Sequence, residues 1–184
     1  MSKLVERLVC RQLVAHLKRH GLIPTMQSAY RRGHSTKTAV LKVVSDILRA
    51  ADHTEITLLG LLDLSAAFDT IDHDILLQRL ETAFGIRGPV MSWIRSFLEN
   101  RTQSVSFAGQ SSSTSPIPCG VPQGSVLGPI LFLLYTADVT CIAQRHNVDT
   151  HSYADDTQLY CHGKVSSSAM MSTRLTLCIR EINE

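Results

Sequence analysis

The sequence predicts an α+β fold, and three observations carry that prediction. Apolar residues recur every four positions in several stretches, as in Val5, Val9, Leu13 and Leu17, the spacing of one helix face. Two segments lack that spacing and have strand length: the apolar run Ile56 to Leu62 and the segment His151 to Tyr160. Helix and strand segments are mixed along the chain, which supports α+β.

The elements follow in order. The first helix carries Val5 to Leu17 and is ended by Gly21 and Pro24. After the turn-like stretch Tyr30 to His34, Ser35 is placed as an N-cap. It leads into a second amphipathic helix marked by Val40, Val43, Val44 and Ile47. Ile56 to Leu62 is apolar on both faces, which suits a buried central strand ending at Asp63. Leu76, Leu80 and Phe84 mark a helix from Ile71 to Phe84, closed by Gly85, with Asp69, Asp72 and His73 as capping residues. Gly88-Pro89 opens another helix. Val105 and Phe107 alternate with serines before Ala108-Gly109, a hairpin pattern, and Ser111 to Ser115 reads as a loop rather than a domain boundary. The Gly- and Pro-rich stretch Gly120 to Pro129 precedes an apolar helix from Ile130 to Ala143. His151 to Tyr160 reads as strand, two-residue turn, strand, with Asp155-Asp156 at the tip. Leu175, Cys178, Ile179 and Ile182 begin a last helix, which is expected to lack packing partners.

Composition narrows the function classes. A chain of 184 residues with 44% apolar and 18% charged residues can bury a core and is not of the disordered class. The length suits one domain, or one large piece of a bigger protein. Net charge is +2, from 18 Lys+Arg against 16 Asp+Glu, too mild a balance to argue nucleic-acid binding unaided. The five cysteines include no C-x-x-C pair and are read as free thiols. No His/Cys cluster suggests zinc. No apolar run reaches the roughly 20 residues of a membrane span, and Met1 to Leu4 lacks the start of a signal peptide. The expected location is therefore intracellular, in cytoplasm or nucleus, with no membrane association.

Three carboxylates carry the chemistry. Asp63 ends an apolar strand, where an aspartate serves either as a cap or as a ligand. Asp155 and Asp156 are adjacent like charges between Tyr153-Ala154 and Leu159-Tyr160, unfavourable without a neutralising cation or basic group. A solvated turn and a cation site fit this spacing equally. Oxygen-only ligands would favour a hard ion such as Mg²⁺. Two such ions, roughly 3.5–4 Å apart, suit in-line nucleotidyl transfer.

Four segments together resemble a known family. Ile56 to Asp69 (ITLLGLLDLSAAFD), Gly120 to Tyr135 (GVPQGSVLGPILFLLY) and Tyr153 to Asp156 (YADD) look like the three central palm motifs of reverse transcriptases. Gln27 to Thr36 (QSAYRRGHST) resembles the fingers motif that precedes them. The wording is closest to non-long-terminal-repeat retrotransposons of the jockey and chicken-repeat kind.

The resemblance implies the fingers and palm of a right-hand polymerase, with a small antiparallel palm sheet backed by helices. Fingers would occupy about 1–54 and 86–118, and palm about 55–85 and 119–184. It also implies RNA-directed DNA polymerase activity using two Mg²⁺ ions, with Mn²⁺ as a substitute. RNA template, DNA primer and deoxynucleoside triphosphates are the implied partners; no oligomeric state is implied. Asp63 and Asp155 would ligate both ions, Asp156 would support them, and the Leu64 carbonyl would add a ligand. Phe68 would lie under the incoming sugar and exclude a 2′-hydroxyl. Enzymes that polymerise ribonucleotides on RNA usually carry a polar residue there, and Gly where this chain has Ala154. Gln123 and Gly124 would contact the nucleotide, with Gly120, Gly124 and Gly128 permitting close backbone approach. Arg31 would reach the triphosphate, although Arg32 stands where many relatives carry proline. Tyr153 would pack beneath the primer end. The thumb and the rest of the palm would lie downstream, so the sequence is expected to be a truncated piece. The alternative is an inactive transposon-derived remnant with at most weak nucleic-acid binding.

Overall fold

The elements in chain order are α1 (Ser2–Arg19), α2 (Thr36–Asp52), β1 (Ile56–Leu62), α3 (His73–Thr82) and α4 (Gly88–Leu98). Four two-residue strands follow: β2 (Thr102–Gln103), β3 (Ser106–Phe107), β4 (Gln110–Ser111) and β5 (Ser115–Pro116). Then come α5 (Gly128–Tyr135), α6 (Val139–Arg145), β6 (Asp149–Tyr153), β7 (Asp156–Gly163) and α7 (Ser168–Ile182). This is a computed structural model, describing residues 2–64 and 66–183. Helices and small antiparallel sheets share the chain, which is the α+β class expected. Two compact units form, Met1–Ile23 with Ala66–Tyr135, and Pro24–Ser65 with Thr136–Glu184.

In the first unit, α1 ends as its glycine dictates. Gly21 takes φ 65, and the Leu22 N–H returns to the Leu17 carbonyl at 2.8 Å. Leu13 and Leu17 are buried, whereas Val5 is exposed, so the apolar face is shorter than the repeat suggested. α3 begins at His73 because Asp72 caps it, accepting the Ile75 N–H at 2.9 Å. Ile71 is fully buried but precedes the helix. β3 and β4 form the expected hairpin, with Ala108 at φ 49 and Gly109 at φ 79. Two positive φ values are the signature of the turn whose twist matches paired strands. Ser111 and Ser115 lie in β4 and β5, so the serine segment is partly ladder.

The apolar helix expected from Ile130 to Ala143 is broken into α5 and α6. In a continuous helix the Tyr135 carbonyl would accept the Val139 N–H. Here that carbonyl accepts Arg79 Nη1, whose guanidinium also lies 5.0 Å from the Tyr135 ring centre. The Val139 N–H goes instead to the Thr136 carbonyl at 3.2 Å.

The second unit is built on a three-stranded antiparallel sheet in the order β1-β7-β6. β1 is thus an edge strand, not the central one its composition suggested. Its residues Leu59 and Leu61 are 44% and 72% exposed. On the other face, Leu62 joins a core of Ala143, Val148, Leu159 and Cys178, closed by Leu175, Ile179 and Ile182 of α7. The last helix therefore has the packing partners it was expected to lack. α2 starts with a reciprocal capping box between Ser35 and Thr38. Its buried side is Ala39, Val43, Asp46 and Ala50, while Val40 and Val44 are exposed. The rotation follows from a polar contact: the Tyr160 hydroxyl donates to Asp46 Oδ2 at 2.7 Å, so α2 must present its aspartate inward. Lys42 and Arg49 pair with the same carboxylate. Burial pushes the Asp46 pKa up, but these hydrogen bonds and charges outweigh it and hold the group below the usual carboxylate value.

Candidate active site

Strand register brings the three aspartates to one end of one sheet. Leu62 pairs with Thr157 at the end of the ladder between β1 and β7, so Asp63 follows β1 at the sheet end where Asp156 begins β7. Asp156 in turn pairs with Tyr153 across β7 and β6. The two-residue turn is Ala154-Asp155, so Asp155 sits at the tip and Asp156 is the first residue of β7. Asp63, Leu64 and Asp156 are exposed, while Tyr153 and Asp155 are half-buried. Among the described residues no three His, Cys, Asp or Glu side chains are gathered as a ready metal cage. The donor set at this sheet end is nonetheless carboxylate oxygen from two neighbouring strands. Such a set fits a hard divalent cation, whose charge would offset the like charges that the register brings together.

The turn is held by a loop that sequence reasoning treated only as a motif. Met26 to Ser28 runs beside β6: the Ser28 N–H donates to the Ser152 carbonyl at 2.9 Å, and the Ser152 N–H to the Met26 carbonyl at 2.8 Å. Ser28 Oγ also meets His151 Nε2 at 2.9 Å. Gln27, only 6% exposed, directs its side-chain amide at the Ala154 backbone. A glutamine beginning a motif gave no signal for this; burial of its amide is what exposes it. Arg31 Nη1 donates to the carbonyls of Pro24, Thr25 and Gln27 at 3.3, 3.1 and 3.1 Å, which braces the same loop. Tyr30, in the left-handed region at φ 57, has its hydroxyl pKa raised by burial, then by the charge of Asp155 and by Tyr153.

The other expected nucleotide residues belong to the first unit. Phe68 is half-buried, with its ring 5.0 Å from that of Phe132, and its carbonyl accepts the Val121 N–H at 2.8 Å. Gln123 Nε2 donates to both Asp69 carboxylate oxygens at 3.3 and 3.2 Å. Asp69 is therefore a partner of Gln123 and not the helix cap expected. His73 is no cap either; its Nε2 lies 2.7 Å from the Gly120 carbonyl. Gly120 takes φ +87, and a Cβ there would stand 2.9 Å from the Asp69 backbone. Its close approach is thus to the chain itself. A Cβ on Gly128 would meet Ser125 Oγ at 2.8 Å, whereas Gly124, at φ +73, faces open space.

A family model for reverse transcriptase (RNA-dependent DNA polymerase) matches residues 2–182. The chain belongs to the reverse transcriptase family. Similar proteins are polymerases of mobile elements, of the kind the motifs resembled. The chain is 34% identical over 169 residues to the RNA-directed DNA polymerase from mobile element jockey of Drosophila melanogaster, covering 89% of this chain and 18% of that one. It is 35% identical over 164 residues to the "Probable RNA-directed DNA polymerase from transposon BS" of the same fly, covering 86% and 18%. This reverse transcriptase chain therefore spans under a fifth of the length of those relatives. Among solved structures, apo telomerase from Candida tropicalis matches with a TM-score of 0.67 at 14% identity, covering 98% of this chain and 37% of that one. That likeness is one of fold. No described helix is long and apolar enough to cross a membrane.

Proposed function

We propose that this chain is the catalytic core of an RNA-directed DNA polymerase, which adds deoxynucleotides to a primer 3′-hydroxyl on an RNA template. The pairing that sets the end of β1, just before Asp63, beside the start of β7 at Asp156 is the observation that carries the reading. Asp63 and Asp155 would hold two Mg²⁺ ions, Asp156 would support them, and the Leu64 carbonyl would add an oxygen; Mn²⁺ suits the same donors. When bound, such ions favour the deprotonated 3′-hydroxyl and offset charge on the leaving pyrophosphate. The protein's part is to keep the carboxylates at one end of paired strands, whose ladder limits backbone drift. Phe68 is assigned the sugar gate, Gln123 and Gly124 the nucleotide contacts, and Tyr153 the primer end. Arg31 would reach the triphosphate through Nε and Nη2, since its Nη1 serves its own loop. The proposed place of action is inside the cell, in cytoplasm or nucleus.

Primer extension on poly(rA)/oligo(dT) with Mg²⁺ tests this reading. Short products are expected, and Asp155→Asn should abolish them; synthesis that survives this change overturns the metal assignment. Phe68→Ala should raise ribonucleotide incorporation about tenfold or more, and an unchanged sugar preference removes the gate. A complete lack of extension favours the alternative, an inactive transposon-derived remnant with at most weak nucleic-acid binding.

A further inference from the structure

Ala154 is the residue before the turn aspartate, and it adopts a backbone conformation that its side chain disfavours. Its φ is 56, in the left-handed region that a residue with a Cβ disfavours. Such strain persists only where surrounding groups over-determine it. Gln27 supplies them. Its Nε2 donates to the Ala154 carbonyl at 3.1 Å, and its Oε1 accepts the Ala154 N–H at 3.0 Å. The same Oε1 accepts the Ala29 N–H at 2.9 Å. These contacts fix the amide orientation, because the reverse one would set donor against donor. A primary amide at this reach matches the N–H and C=O of one residue, donor to carbonyl and acceptor to N–H, as a β-partner would. Glutamate would lose the donor, and asparagine is one methylene shorter. The backbone bonds on either side of Gln27, joining Met26 and Ser28 to Ser152, and the Arg31 brace keep the amide in place.

We infer that Gln27 is a positioning residue for the proposed metal site, its amide clamping Ala154 in the left-handed conformation that sets Asp155 at the hairpin tip. The inference rests on the two-metal reading of Asp63, Asp155 and Asp156. It predicts that metal affinity depends on a side chain that touches no metal. Outer-shell partners of this kind change affinity by about 10- to 100-fold.

The test measures amide hydrogen exchange and Mn²⁺ binding in this chain and in four variants. Gln27→Met keeps the volume and removes both bonds to Ala154, with that from Ala29. It should speed exchange of the Ala154 N–H about tenfold or more, with Leu159 in β7 unchanged, and weaken Mn²⁺ binding about 10- to 100-fold. Ser28→Ala removes the loop's bond to His151 but spares the clamp, and should leave both readings as in the parent. Glycine accepts the left-handed region freely, so Gln27→Met made together with Ala154→Gly should recover most of the lost affinity. Asp155→Asn should lose Mn²⁺ binding. If it does, and a folded Gln27→Met binds as the parent does or leaves Ala154 exchange unchanged, the inference about Gln27 is overturned and the metal reading stands. If Asp155→Asn binds as the parent does, the metal reading fails and takes the inference with it. Should Gln27→Met not fold, the parent decides: protection of the Ala154 N–H is expected, and exchange at the unprotected rate overturns the clamp.

Discussion

Two glycines of one loop show how much a single Cβ decides. Gly120 and Gly124 both take positive φ, but only Gly120 lies against backbone, 2.9 Å from Asp69 Cα and O at the position a Cβ would occupy. Gly120→Ala should therefore cost about 2–4 kcal/mol, from conformation and collision together, while Gly124→Ala should cost only about 1–2 kcal/mol. Urea unfolding of the two variants checks the order. A buried histidine sets a pH dependence at the same level of detail. Burial, then the charge of Lys42 and that of His34, lower the His151 pKa from its ordinary 6.5, against an opposing pull from Asp46. The unfolded chain thus takes up this proton first. The stability linked to neutral His151 is complete above pH 6.5 and is lost as pH falls through 6.5 toward the folded value. Thermal unfolding should show a lower midpoint at pH 5 than at pH 7.5, and His151→Gln should flatten that difference. Asp46 acts in a lower window, since its depressed pKa protects stability above 3.8 and releases it only as pH falls further.

Caps, turns and one broken helix determine where the chain's elements start and stop. Asp72 begins α3 through a 2.9 Å bond to the Ile75 N–H. Asp72→Ala should destabilise the protein by about 1 kcal/mol, and a chemical-denaturation midpoint shifted at constant slope would show it. Positions that depend on partners distant in sequence behave differently. α2 presents Asp46 and two alanines to its interior because Tyr160 needs an acceptor, and its valines at 40 and 44 point outward. α5 stops at Tyr135 because Arg79, from another helix, takes the carbonyl that continuation would use. β1 reads as a central strand but lies at the edge, since β7 pairs with both β1 and β6.

Across the whole chain, charge and family membership point to different strengths of interaction. Net charge is +2, which provides little of the counterion release that drives non-specific nucleic-acid binding. Fluorescence anisotropy with a primer–template duplex should therefore give a dissociation constant of about 10⁻⁶ M or weaker at physiological salt. A much tighter constant would mean that local basic surface outweighs the net balance. The relatives are several times longer than this chain.

Much of the candidate site was legible because its signals are local. Asp63 follows an apolar run of strand length, YADD lies between strand-forming residues, and Ser35, Asp72 and Ala108-Gly109 carry the cap and turn chemistry that the structure uses. Motif order then placed the chain in its family. What stayed hidden depends on partners far apart in sequence. Gln27 meets Ala154 across 127 positions, Tyr160 meets Asp46 across 114, and Arg79 meets Tyr135 across 56. Periodicity and turn propensity act within a few residues, so they set which carboxylates stand near a strand end. Hydrogen bonds between distant segments decide which strand is the edge, where the helix breaks, and what holds the Asp155 turn in its strained shape.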